Sequence, residues 1–164
     1  MQHPHEISKL EKEFLNESNA IEGVTDLGSL TQAAFAWIWL KEQKKMTIRT
    51  VLKTHKILML HQPLYPNEKG YWREVPVFVG GRAGADWRTI QTKVKAWAQL
   101  MNDKNIVDWK TLHIMYEKIH PFVDGNGRTG RMFMNYHRLR LGLPLLIIHA
   151  GKEQQEYYKW FDEH

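Results

Sequence analysis

The sequence predicts a mainly α-helical fold that carries one short β-hairpin. Two observations predict it. Apolar residues recur at helical spacing along most of the chain, and Asp, Ser or Thr stands before several of these stretches as a helix cap. One stretch, residues 70–81, turns aromatic and β-branched and closes on Gly80-Gly81. At 164 residues the chain is long enough for one domain with its own core, to which seven tryptophans and seven methionines bring large side chains. The expected division is a leading helix at about 1–25, a core at 47–142 and a C-terminal helix at 151–163.

Residues 5–18 read as an amphipathic helix with Ile7, Leu10, Phe14 and Leu15 on one side, and Gly23 as its stop. Asp26 or Ser29 caps a second helix over 30–45, and Thr47 a third through Leu60. His55 and His61 lie in that third helix without acidic partners at ligand spacing, which favours packing or exposure over metal binding. Pro63, Pro66 and Gly70 end the pattern. The run from Tyr71 to Val79, with Val75, Val77 and Phe78, is then expected to form a hairpin or extended flap that leans on the helical body. Asp86 caps a helix over 87–101 and Asp108 one over 109–119. Another follows residue 127 and is ended by Gly142 and Pro144. The last runs from Lys152 to Phe161.

The chemistry concentrates in residues 119–131. Pro121 disfavours the α conformation at His120, so His120 sits at a helix end. Gly125 and Gly127 bracket Asn126 and permit a tight turn. A helix that starts after the turn aims free N–H groups and its dipole at the turn, which is an anion site. Arg128 and Arg131, three apart, add guanidinium forks suited to phosphate. Asp124 is a carboxylate placed to hold Mg²⁺ against phosphate oxygens. His120, with an ordinary pKa near neutrality, can accept a proton from a hydroxyl. Together these residues describe nucleotide-dependent group transfer.

Composition narrows the alternatives. With no cysteine there is no disulfide or thiolate metal site. The longest apolar run, Ala33 to Leu40, is too short to span a bilayer. Met1 to His5 carries no apolar signal region, so the expected location is the cytoplasm, with export by another route left open. The net charge of +5 attracts anions. No basic stripe with interleaved aromatics appears, and that weighs against nucleic acid.

The stretch His-Pro-Phe-x-Asp-Gly-Asn-Gly-Arg-x-x-Arg at 120–131 resembles the signature of the Fic family, and residues 70–81 resemble the flap that precedes it. The resemblance implies a helical Fic domain that transfers AMP from Mg-ATP to a Ser, Thr or Tyr hydroxyl of a target protein and releases pyrophosphate. By it, His120 is the general base and Asp124 the Mg²⁺ carboxylate. Gly125, Asn126, Gly127 and Arg128 line the anion hole, and Arg131 contacts the terminal phosphate. Val77, Phe78, Val79, Gly80 and Gly81 offer a strand edge to the target. Tyr157 or Tyr158 stacks on adenine or packs into the core. Ser18-x-x-x-Glu22-Gly23 resembles the inhibitory helix of the family, with Glu22 set to pair with Arg131. Removal of AMP, transfer of another group, and a largely silent nucleotide-binding module stay open, as do self-modification and a homodimer. The chain stops at His164, where relatives often continue with further nucleotide contacts.

Overall fold

The computed structural model describes residues 7–162. Its elements are α1 (Lys9–Ile21), α2 (Leu27–Lys41), α3 (Ile48–Leu58), β1 (Phe78–Val79), β2 (Arg82–Ala83), α4 (Ile90–Asn102), α5 (Trp109–Ile119), α6 (Asn126–Arg140) and α7 (Lys152–Tyr158). Short 3-10 turns lie at Pro66–Glu68, Trp87–Thr89 and Lys159–Phe161.

Local chemistry sets most boundaries. The expected start of α1 at residue 5, and residue 163 at the other end, lie outside the described residues. Within them, α1 opens on a reciprocal cap: the Ser8 hydroxyl accepts from Glu11 N–H, and the Glu11 carboxylate accepts from Ser8 N–H. It runs to Ile21, three residues beyond the expected end, because Gly23 (φ +70°) makes the stop and leaves Glu22 as C-cap. Leu10 is exposed, contrary to expectation. The buried residues of α1 are Phe14, Leu15, Ser18, Asn19 and Ile21, two of them polar. Asp26, not Ser29, caps α2, so that helix begins and ends earlier than expected. Thr47 and Asp108 act as the sequence suggests, while Asp86 caps the 3-10 turn Trp87–Thr89 that leads into α4, so the α-helix itself starts at Ile90.

The hairpin is smaller than expected. Phe78 pairs with Ala83 and Val79 with Arg82, across a Gly80-Gly81 turn in which both φ values are positive. Residues 71–77 form no strand. Among the described residues no further strand pairs with them; Val77 O alone continues the hairpin, accepting from Gly84 N–H, and Arg73 N–H bonds to Pro121 O just past the end of α5.

The core is one large cluster centred on Phe14, Trp37, Leu40, Trp97, Tyr116, Phe122 and Phe133, with a satellite of Ile21, Met134, Ile148 and Tyr157. α6 runs through the middle and contacts α1, α2, α3 and α5. From Arg128 to Arg138 every residue is buried, although half of them are polar. Buried polar groups need partners, and α6 finds them in other segments. Thr129 hydroxyl bonds to Tyr116 hydroxyl at 2.7 Å. Asn135 holds both the N–H and the carbonyl of Leu146. Tyr136 donates to Gln43 O. Arg138 lies over the Trp109 ring at 4.3 Å and donates to Pro144 O.

Trp37 tests this packing. Its ring is fully buried, meets Phe14 edge-on at 5.4 Å and donates Nε1–H to Glu11 Oε2 at 2.6 Å. Trp37→Ala is expected to cost about 3–5 kcal/mol, read as a lower urea midpoint with an unchanged slope.

Candidate functional site

The site is assembled where α5 ends and α6 begins. α5 stops at Ile119 because His120 turns left-handed (φ 51°, ψ 64°), as the proline after it requires a non-helical backbone. The loop then folds back on itself. Asn126, first residue of α6, accepts from Phe122 N–H and donates to Phe122 O, both at 2.8 Å. Its side chain therefore shapes the loop instead of facing a ligand. Gly125, at φ +88°, is the N-cap of α6.

His55 supports the loop from behind. It is fully buried and stacks on Phe122 with ring centres 3.6 Å apart. Gly70 N–H donates to its Nδ1, so Nε2 carries the proton and donates to Asp124 O at 2.7 Å. A Cβ on Gly125 would lie 2.8 Å from Met59 Sδ and 3.1 Å from His55 Nε2, so only glycine fits there. Sequence reading leaves His55 between packing and exposure and misses this link between Gly70, before the flap, and the loop.

A cleft of about 670 Å³ opens above. Its lining includes Glu22, Glu117, His120, Gly127, Arg131 and Tyr157, with Val79, Gly80, Arg82, Ala83 and Gly84 of the hairpin along one side. His120 Nδ1 lies 3.3 Å from Glu117 O. A carbonyl only accepts, so Nδ1 carries the proton and Nε2 keeps its lone pair. Burial lowers the His120 pKa and the Arg73 charge adds to that, against upward pulls from the Glu117 carbonyl, Glu22 and Asp124. The imidazole is neutral at neutral pH.

The two motif arginines are both buried, in different settings. Arg128 Nη2 lies 3.6 Å from Asp124 Oδ2, while its Nε and Nη1 have no hydrogen-bond partner among the described residues. Arg131 is clamped by α1. It donates to Ser18 Oγ at 2.8 Å, Ser18 O at 3.1 Å and Glu22 Oε1 at 2.8 Å. Glu22 Oε1 also lies where a Cβ on Gly127 would sit, against the first turn of α6.

The remaining candidates are spread out. Asp124 is mostly exposed and accepts from Gly125 N–H with Oδ1. Among the described residues no group of three or more His, Cys, Asp or Glu is placed to hold a metal by itself. One exposed carboxylate fits a Mg²⁺ ion that draws its other ligands from phosphate and water. Tyr157 is buried under the cleft, its hydroxyl 2.6 Å from His113 Nε2. Tyr158 lies on the rim and is half exposed. Phe78 and Val79 of the hairpin are exposed, and Val77 O accepts from Gly84 N–H below them.

Glu117 is the residue sequence reading passed over. Its Oε1 has no hydrogen-bond partner among the described residues, and burial raises the carboxyl pKa to about 8, with Arg131 opposing and Glu22 adding to the rise. The signal was Gly130. A glycine inside a helix is costly, and here its missing Cβ leaves the space that Glu117 Oε1 fills.

The Fic/DOC family model matches residues 45–137, more than half of the chain, motif and flap included. The chain belongs to the Fic/DOC family. Two curated relatives, each named protein adenylyltransferase Fic, are similar over 125 residues and 73% of this chain: that of Drosophila grimshawi at 31% identity and that of Drosophila erecta at 33%. The match covers 26% and 25% of those proteins, so the chain spans about a quarter of the length of the curated relatives it matches. Among solved structures, Fic-1 from C. elegans superposes with a TM-score of 0.75 at 19% identity, over 99% of this chain and 59% of that one. A Fic-domain-containing signaling protein from Bacteroides thetaiotaomicron gives 0.72 at 20% identity, over 92% of this chain and 70% of its own. These likenesses show the Fic fold. No helix among the described residues is long and apolar enough to cross a membrane.

The buried, neutral His55 makes stability depend on pH. Its pKa is lowered to about 4, mainly by burial, from an ordinary value of 6.5. Between those values the unfolded chain binds the extra proton, so the stability is full above pH 6.5 and is lost as pH falls toward 4. In His55→Gln the slope of stability against pH in that window is expected to drop by about 1.4 kcal/mol per unit, one proton's worth. Urea melts at pH 4.5 to 7 measure it.

Proposed function

We propose that the chain is a protein adenylyltransferase that transfers AMP from ATP to a hydroxyl of a target protein, releases pyrophosphate, and is held in check by Glu22. The observation that carries this reading is the clamp on Arg131. A buried arginine in the same cleft as a neutral histidine and a helix N-terminus is occupied by a carboxylate of its own chain. The carboxylate stands in for a phosphate. The names of the curated relatives support the chemistry.

The residues divide the work. His120 Nε2 takes the proton of the target hydroxyl as its oxygen attacks the α-phosphorus. The bond from that phosphorus to the oxygen bridging to the β-phosphate breaks, and pyrophosphate carries the electron pair away. N–H groups at the start of α6, with Gly127 leaving room for close approach, face the phosphates. The unpartnered Nε and Nη1 of Arg128 add donors there. Arg131, once released, meets the terminal phosphate. Asp124 would hold Mg²⁺, which when bound neutralises charge on the phosphate oxygens. The exposed edge of the hairpin takes an extended segment of the target by backbone pairing. Tyr158, on the rim, has an exposed ring that can lie against adenine. Tyr157 acts from below by holding His113.

Glu22 restrains the reaction in two ways. It occupies Arg131, and its oxygen lies against Gly127 where phosphate would approach. A triphosphate bound elsewhere in the cleft is out of line for attack, and misalignment alone costs ~10²-fold.

The test measures initial rates of ³²P transfer to proteins, the chain itself included, from α-labelled ATP. Glu22→Gly is expected to exceed wild type by an order of magnitude or more, and Glu22→Gly with His120→Ala to show no transfer. Arg131→Ala gives no activation, since it removes the phosphate contact together with the clamp. Label arriving from the γ-position instead would replace adenylyl transfer by kinase-type transfer. A folded Glu22→Gly protein no faster than wild type would return Glu22 to a structural role. Asp124→Ala is expected to raise the Mg²⁺ concentration needed for half-maximal rate in the Glu22→Gly background. An unchanged Mg²⁺ dependence removes Asp124 as a ligand.

A further inference from the structure

We propose that Arg73 is a positioning residue that locks the hairpin flap and His120 into one unit, so that a target seated on the flap is in register with the base. The inference rests on the adenylyl-transfer reading above for its kinetic consequences, and on geometry for the coupling itself.

Arg73 is 2% exposed, a cation buried at the base of the flap. Its guanidinium hydrogen-bonds to main-chain carbonyls from two places. Nη1 donates to Val75 O at 2.8 Å and Nη2 to Ala85 O at 2.5 Å, which bracket the hairpin on its two sides. Nε donates to His120 O at 2.7 Å and Nη2 also to Ile119 O at 3.2 Å, at the end of α5. Its own N–H bonds to Pro121 O at 3.0 Å. One side chain thus joins both ends of the flap to the residue that bears the imidazole.

Simpler solutions would serve a mere tie. A helix end is commonly capped by a glycine or a neutral donor. Burying a guanidinium is costly and is offset here by the carbonyls and by the negative end of α5. What the guanidinium alone supplies is a rigid planar fork of five N–H donors that fixes several acceptors relative to one another. The acceptors it fixes include His120, the one non-glycine residue with positive φ among those described. The second arm of the flap also passes close to His120. A Cβ on Gly84 would lie 3.0 Å from Arg73 Nη2, 3.0 Å from Val77 Cγ2 and 3.4 Å from His120 Cβ. Among the described residues Arg73 makes no hydrogen bond to the phosphate-facing parts of the site, which are α6 and Arg131. Its loss therefore separates positioning of the base from binding of the nucleotide.

The experiment compares Arg73→Lys and Arg73→Met, each in the Glu22→Gly background. Lysine keeps the charge but has no fork. For Arg73→Lys, kcat is expected to fall at least tenfold while KM for Mg-ATP stays within about threefold, since small displacements of reacting groups are that costly. Two readouts do not need activity. Amide exchange of Gly84 N–H, bonded to Val77 O, is expected to speed up in both variants. The His120 imidazole, followed by NMR, is expected to titrate higher in Arg73→Met, because a neighbouring cation is gone. The other charged groups acting on it, Glu22 from α1 and Asp124 from the loop, both favour its protonated form, and Glu22 is absent from the background. The acid limb of the rate profile then moves to higher pH. If Arg73→Met does not fold, Arg73→Lys decides alone: a folded protein with low kcat and fast Gly84 exchange supports the coupling. A folded Arg73→Lys with parental kcat and parental Gly84 exchange overturns it. Should the Glu22→Gly parent transfer no AMP, the functional reading fails, and Gly84 exchange with the His120 titration still decides whether Arg73 couples flap and base.

Discussion

The constraint on which the structure depends is that its central helix is polar and buried. α6 carries Arg128, Thr129, Arg131, Asn135, His137 and Arg138 into the middle of the protein. Each such group must find a partner or cost free energy. The surrounding chain is arranged to provide them: Ser18 and Glu22 from α1, Tyr116 from α5, Gln43 after α2, and the backbone at Leu146. The core therefore does not merely hold the site in place. Part of the core is the site: among the described residues the buried side-chain atoms left without a hydrogen-bond partner are on Arg128, Glu117 and His137, and the first two belong to the site.

That arrangement gives the Glu22 clamp its character. Removing one partner from a buried ion pair is strongly unfavourable when the other is left uncompensated. Arg131 can release Glu22 only if another anion arrives or if Ser18 and Tyr157 suffice. α1 itself is not a loose lever. Phe14 and Leu15 are buried in the main core, and the His149 imidazole bridges Glu13 of α1 to Glu153 of α7. Glu22, by contrast, is the C-cap, with a side chain about one-third exposed. Under the proposed activity, relief of inhibition needs a rotation of one carboxylate at the end of a fixed helix, which is a far smaller change than undocking the helix.

The legible part of the structure was what local rules govern. Thr47, Asp86 and Asp108 act as caps, and the stop at Gly23 follows from its positive φ. The thirteen residues around the motif carry spacing specific enough to show a helix end, a turn and a helix start. What the sequence hid was decided by tertiary partners. Residues 71–77 have the composition of a strand, but among the described residues no further strand pairs with them, so their polar groups turn to Pro121 and Arg73. Asn126 reads as a ligand-facing residue and is in fact the brace between Phe122 and α6. His55 and Arg73 are ordinary letters in helical and extended stretches. Their importance comes from contacts 69 and 47 residues away in the chain, which no periodicity records.

Glu117 shows how one such hidden contact bears on the chemistry. It sits on α5, three residues before His120, and beside Arg131, yet no hydrogen bond joins it to that arginine among the described residues; Ser18 and Glu22 take the Nε and Nη2 donors. With the pKa raised to about 8, its carboxyl is mostly protonated at neutral pH. The cost of that arrangement falls on stability at high pH: a carboxyl raised from its unfolded value loses its contribution as pH climbs from 4.5 through 8, where the unfolded chain is ionised and the folded one is not. Neutrality also suits the proposed activity. An ionised Glu117 would add a second negative charge beside the arginine meant for a phosphate, whereas the protonated acid leaves Glu22 as the charge that decides whether Arg131 is occupied. The space for this acid exists because Gly130, inside the motif, has no side chain. Replacing either residue alone, whatever it does to the fold, changes the electrostatics at the phosphate end of the cleft.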